Sequence, residues 1–242
     1  MMIRIAPHDL RNALNLSMLL AGSICFVSAM AQSNPPSTPI VLSETSEAEV
    51  KVACIGDSIT AGYPNPGGFP PVLDGKLPDN YTVVNYGKRG ATALGPGRGS
   101  SPYISTTEYA NAIKSGAGIV VIMLGTNDSN NTSWVHESHF KEDLGKIVNN
   151  FLNLSHHPKV YLASTLPSFT TSEKINSLRI ETLIGPRIRD LSNELGVQGI
   201  DTFTHFIDKK SLFIDGTHPK SEGHNILAQV IHDAITGPDD NT

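Results

Sequence analysis

The chain has 242 residues, 39% of them hydrophobic, with 18 basic and 23 acidic side chains and a net charge of −5. This length suits one domain with a sizeable core. The mild acidity argues against nucleic acid as the main partner.

Residues 1–31 have the pattern of a secretory signal peptide. Arg4 and Arg11 give a basic start, residues 14–27 are mostly apolar, and Ala29-Met30-Ala31 supplies small residues before a cleavage point at Gln32. The apolar run is short for a bilayer and no basic stop-transfer cluster follows it. Cleavage is therefore expected, with no stable membrane insertion afterwards and a secreted or periplasmic location. Without this segment 211 residues remain, with sixteen basic and twenty-two acidic side chains and Cys54 as the one cysteine. No internal disulfide can then form, so stability must come from the core.

Residues 32–49 read as a flexible leader, rich in Pro, Ser and Thr over 33–39. The domain proper is expected over 50–237. Short apolar runs at 50–55, 81–86, 118–124, 159–163 and 197–200 predict five strands. Apolar residues at three- and four-residue steps predict helices over 140–152 and 175–195, the second kinked or divided at Gly185-Pro186. A last helix is predicted to begin at Pro219. Strands alternating with helices give an α/β fold: a five-stranded parallel sheet covered on both faces, three layers in all. The ligand site of such a sheet lies beyond the carboxyl ends of the strands.

Four segments fall in that position. Ser58, in the turn Gly56-Asp57-Ser58 after the first strand, is the candidate nucleophile. A serine hydroxyl needs a neighbouring base, and alone it would read as a helix cap. His218 is the candidate base. Asp215, three residues earlier, is placed to accept a hydrogen bond from one ring nitrogen while the other faces the serine. Gly87, Asn127 and the Ser58 backbone N–H are candidate donors for an oxyanion. Asp57 and Asp128 stand beside the nucleophile and the amide donor as supporting carboxylates. The histidines and Cys54 lack metal-ligand spacing, so neither metal nor other cofactor is expected.

These residues resemble the SGNH hydrolases, also called the GDSL esterase/lipase family, over nearly the whole span from Lys51 to Ile235. Gly56-Asp57-Ser58 is similar to the first block of that family, Asn85-Tyr86-Gly87 to the second, Gly125-Thr126-Asn127-Asp128 to the third and Asp215-Gly216-Thr217-His218 to the last. The resemblance implies the flavodoxin-like three-layer fold and hydrolysis of an ester through an acyl-enzyme. Secreted bacterial carbohydrate acetylesterases, including sialate O-acetylesterases, are the most similar subgroup, which implies a small-molecule or glycan acetyl ester as substrate. Lysophospholipase, thioesterase or aryl esterase activity is the alternative, and a catalytically silent carbohydrate-binding module a more distant one.

Lys88-Arg89 departs from the small or apolar residues usual after the second block. A solvated loop is the ordinary reading of such a pair; the sharper one is that one of the two faces the site and favours an acidic sugar. Trp134 and Tyr103 are expected to pack rather than to stack on a sugar. Pro167-Ser168-Phe169 is placed to line the pocket.

Overall fold

The computed structural model describes residues 48–64 and 66–238. The expected signal peptide, and all but the last two residues of the expected leader, lie outside the described residues. The elements run β1 (Val50–Gly56), α1 (Ser58–Ala61), α2 (Pro70–Asp74), β2 (Tyr81–Gly87), α3 (Thr107–Ile113), β3 (Ile119–Met123), α4 (Asn131–Trp134), α5 (Phe140–Leu152), β4 (Lys159–Ala163), α6 (Ser177–Arg179), a π-helical turn (Ile180–Ile184), α7 (Gly185–Leu195), β5 (Gln198–Ile200) and α8 (Ser221–Thr236), with short 3-10 turns between. All five predicted strands form. They pair in parallel in the order β2-β1-β3-β4-β5.

Side chains alternate across this sheet, so each strand feeds two cores. Ala53, Ile55, Val120, Ile122 and Leu162 pack with Leu144, Ile147 and Phe151 of α5 and Ile188 and Leu191 of α7. Val52, Cys54, Val121, Met123 and Tyr161 pack with Leu73 of α2 and Leu227, Ile231 and Ile235 of α8. A fully buried Leu, Ile or Phe contributes roughly 1.5–3 kcal/mol over its exposed state. Cys54 is buried and free, and burial pushes its thiol up. These two apolar layers, rather than a cross-link, therefore carry the stability.

The helix predicted over 175–195 is divided at Gly185-Pro186, as expected. The helix widens into the π-turn just before Pro186, which then stands in the first turn of α7, where its missing N–H costs little. The last helix begins at Ser221 rather than Pro219. Pro219 instead bridges Phe213, and the His218 carbonyl accepts from the Ile214 N–H at 2.9 Å. Those contacts hold His218 in a fixed loop ahead of the helix.

The strand order reverses direction between β1 and its two neighbours, and such a switch point opens a crevice at the carboxyl ends. Register sharpens this: Gly56 pairs with both Gly87 and Met123. Strands β1, β2 and β3 thus end level, and the loops that follow them leave the sheet side by side.

Candidate active site

Ser58 is the first residue of α1. The helix is capped by Asp57, whose Oδ1 accepts from the Ile59 N–H at 2.9 Å. Capping is therefore done by the neighbour, which leaves the Ser58 hydroxyl for another partner. That partner is His218, with Ser58 Oγ 2.8 Å from His218 Nε2 across 160 positions of sequence. His218 Nδ1 lies 2.7 Å from Asp215 Oδ2. The other carboxylate oxygen, Oδ1, accepts from the backbone N–H groups of Thr217 at 2.9 Å and His218 at 2.8 Å. Partial burial alone would push the Asp215 carboxyl up. The His218 backbone and ring, the Thr217 N–H and the imidazole charge outweigh it and hold it below the usual carboxylate range. Asp215 therefore stays ionised and fixes the tautomer in which Nε2 can take the serine proton.

Three hydrogen-bond donors belong to residues that line the same cleft as this pair. The N–H of Ser58 has no acceptor among the described residues. Asn127 opens the 3-10 turn after β3, and its Nδ2 donates one hydrogen to the Ala91 carbonyl at 2.9 Å, leaving the second. The third is Gly90, which lines the same cleft as Ser58, Asn127 and His218, and whose N–H likewise has no acceptor among the described residues.

The expectation for Gly87 is corrected here. Gly87 is still part of β2, outside the cleft, and its N–H donates to Asn85 Oδ1 at 2.8 Å. The glycine that lines the cleft is Gly90, in the loop beyond the strand end, three residues on. Gly87 is a glycine for a different reason: a Cβ there would lie 2.2 Å from the Ala61 nitrogen, so only a bare backbone lets β2 pass α1. Gly90 has a φ of +76° and open space where a Cβ would be, so its constraint is conformational. The Gly90-Ala91-Thr92 sequence was the available signal.

The supporting carboxyls are deeply buried. Asp128 clamps the loop after β2, accepting from Ala93 N–H at 2.9 Å and Leu94 N–H at 2.8 Å. With the Asn127–Ala91 bond it ties the loop bearing one donor to the loop bearing another. Burial pushes Asp57 up to about 6, against the pull of hydrogen bonds from Ile59 and the Thr126 side chain. Burial also pushes Asp128 up to about 7, opposed by the Leu94 and Ala93 N–H groups and aided by the charge of Asp57.

Both folded values lie above the unfolded value near 3.9. The native state thus holds more protons than the unfolded chain in between. The stability these groups lend is full below about pH 4 and is lost as pH rises through about 6 and about 7. The slope is about 1.4 kcal/mol per pH unit for each titrating group. In Asp128→Asn the fall in urea midpoint from pH 5 to pH 8 is expected to be shallower than in wild type. A profile parallel to wild type would show that this carboxyl does not titrate in that window.

Other residues fall as follows. Arg89 lines the cleft, whereas Lys88 turns to Glu108 at 3.0 Å. Tyr63, not singled out from sequence, sets its ring edge-on to His218 with centroids 4.8 Å apart. Ser168 and Phe169 do not line the cleft but brace the Asp215–His218 loop from behind. Ser168 Oγ lies 3.1 Å from Thr217 Oγ1, and the Phe169 N–H donates to the Gly216 carbonyl at 2.6 Å. Tyr103 and Trp134 are buried in packing, as expected. Thr170, Ser172, Lys174 and Ile175 complete the wall and were missed, because their loop reaches the site only through the fold.

Comparison with known proteins shows the family and the fold. Residues 54–226 match the GDSL-like Lipase/Acylhydrolase family. An acetylxylan esterase of Xylanibacter ruminicola is 31% identical over 211 residues, covering 78% of this chain and 44% of that protein. The chain thus spans less than half the length of this curated relative. A carbohydrate acetylesterase from Sinorhizobium meliloti superposes with a TM-score of 0.62 at 18% identity, over 77% of this chain and 98% of that one. A catalytic mutant of an acetylxylan esterase from Geobacillus stearothermophilus gives 0.62 at 20%, over 78% and 95%. At these identities the two structures speak for the fold alone. From the matched span, with the first relative beside it, the chain belongs to the GDSL-like lipase/acylhydrolase family.

Proposed function

We propose that the protein is a serine esterase that releases short acyl groups, acetyl above all, from esters of carbohydrates. The observation that carries this reading is the relay from Ser58 Oγ through His218 to Asp215, at 2.8 and 2.7 Å. In the first step His218 takes the Ser58 proton as Oγ attacks the ester carbonyl. The oxyanion forms among the N–H groups of Ser58 and Gly90 and the Asn127 amide. His218 then gives the proton to the leaving alcohol. Water, deprotonated by the same imidazole, attacks the acyl-enzyme; the acyl–Oγ bond breaks, His218 returns the proton to Ser58 Oγ and the carboxylic acid leaves.

The acyl preference follows from the cleft. Its volume is about 410 Å³, and Ile175 and the Tyr63 ring are the large apolar side chains among its lining residues. A long acyl chain gains roughly 0.8 kcal/mol per buried CH₂ only where large apolar side chains receive it, and two such side chains suit a short acyl group. Similarity to the acetylxylan esterase of Xylanibacter ruminicola supports the acetyl and carbohydrate parts of the reading. Across p-nitrophenyl esters from acetate to octanoate, kcat/KM is expected to fall steadily beyond butyrate. A maximum at hexanoate or octanoate would favour a lipid or thioester substrate instead.

Asn127→Ala is expected to lower kcat about 10²- to 10³-fold with little change in KM, since the amide acts on charge that develops after binding. Steady-state kinetics on p-nitrophenyl acetate would check this. A purely KM effect would place Asn127 in ground-state binding.

Export is part of the same proposal and rests on residues 1–31 of the sequence. N-terminal sequencing of the protein recovered outside the cytoplasm should begin near Gln32.

A further inference from the structure

Two cations line the catalytic cleft, Arg89 and Lys174. No carboxylate among the described residues forms an ion pair with either, whereas the adjacent Lys88 is neutralised by Glu108. Arg89 is nevertheless held in place. One guanidinium N–H donates to the Gly62 carbonyl at 2.8 Å, and the group sits over the Tyr63 ring, 5.0 Å from its centroid. That same ring meets His218 edge-on at 4.8 Å. The charge is thus fixed one aromatic ring away from the catalytic imidazole. Four of its five N–H donors remain for another partner, in the planar fork that suits a carboxylate.

The protein as a whole is acidic, at −5, so its long-range field repels anions. An unpaired, pre-positioned guanidinium at the mouth of the site is then a local feature aimed at something that binds there. Asp215, the acidic residue of the cleft wall, is already engaged by His218 and by two backbone N–H groups.

We propose that Arg89, aided by Lys174, binds an anionic group on the alcohol side of the ester, so that the cleft selects acetylated sugar acids over neutral acetylated sugars. This rests on the esterase reading above and deepens it. The alcohol part of the ester shares the cleft that Arg89, Tyr63 and Lys174 line. A sugar carboxylate there meets a fork that needs no reorganisation, and Lys174 adds a second, more mobile charge.

The test compares acetate release from an acetylated methyl glucuronoside with release from its uncharged glucuronamide, using wild type, Arg89→Gln, Arg89→Lys and Lys174→Gln. A charge-assisted contact of about 1.5–3 kcal/mol gives roughly a 10- to 100-fold preference in kcat/KM for the acid. Arg89→Gln is expected to bring that ratio close to one. Arg89→Lys should keep part of it, which separates lost charge from lost folding, and Lys174→Gln should reduce it less. Equal kcat/KM for acid and amide in wild type, or an unchanged ratio in Arg89→Gln, would overturn the proposal. So would a preference seen only with an acetylated sugar phosphate, which would assign the anion differently. Cleavage of p-nitrophenyl acetate with neither sugar touched would overturn sugar-acid recognition while leaving the esterase intact. Failure on all four compounds would remove the esterase reading itself.

Discussion

Ser58→Ala is expected to lower kcat on p-nitrophenyl acetate by about 10⁶-fold, the loss typical when a serine triad is deprived of its nucleophile. The expected residue of activity is the small rate that donors and binding give without covalent attack. The fold should persist. The Ser58 hydroxyl contacts His218, while capping of α1 belongs to Asp57. Removing the hydroxyl therefore costs stability within about 0.5 kcal/mol. Mass spectrometry adds a second readout, because an acetyl group trapped from a slow substrate should appear on wild type and not on the variant. Wild-type turnover by folded Ser58→Ala would end the assignment.

His218→Ala should cost nearly as much, and Asp215→Asn less, about 10⁴-fold or below. Asparagine can keep Oδ1 as acceptor for the Thr217 and His218 backbone N–H groups. Its NH₂ would then face His218 Nδ1, which must become an acceptor. The proton moves to Nε2, the atom 2.8 Å from Ser58 Oγ, and the base is blocked. The Asp215 side chain is 45% exposed, so solvent screens its charge and water can replace part of its role. That exposure is the reason to expect a smaller loss than for the imidazole. Since the three residues act as one unit, Asp215→Asn on top of His218→Ala should cost little more. Additive losses in the double variant would mean that Asp215 acts independently of the imidazole.

These results bear on how the site could be read from sequence. Ser58, His218, Asp215 and Asn127 each stand in a short segment whose chemistry is local. A glycine turn presents a hydroxyl, an Asp three residues ahead of a His fixes its tautomer, and an Asn follows a strand. Five apolar runs separated by helical spacing were enough for the sheet, because buried parallel strands must be apolar on both faces. Gly87 was misassigned for an equally physical reason. Two glycines lie within four positions, and sequence does not reveal where the β2 ladder ends. The Asn85 side chain, which takes the Gly87 N–H, and the pairing of Gly87 with Gly56 decide it.

The chain's own order of residues was sufficient for the reaction class, since nucleophile, base, orienting acid and amide donor each need particular functional groups in particular local turns. Register and packing decided the rest. Level strand ends at Gly56, Gly87 and Met123 put Gly90 rather than Gly87 in the cleft, the Glu108 contact turned Lys88 away from it, and Gly62 and Tyr63 hold Arg89 against it. Such choices depend on distances between segments far apart in the chain. They are set by which backbones pair and which cores fill, and no local motif encodes them.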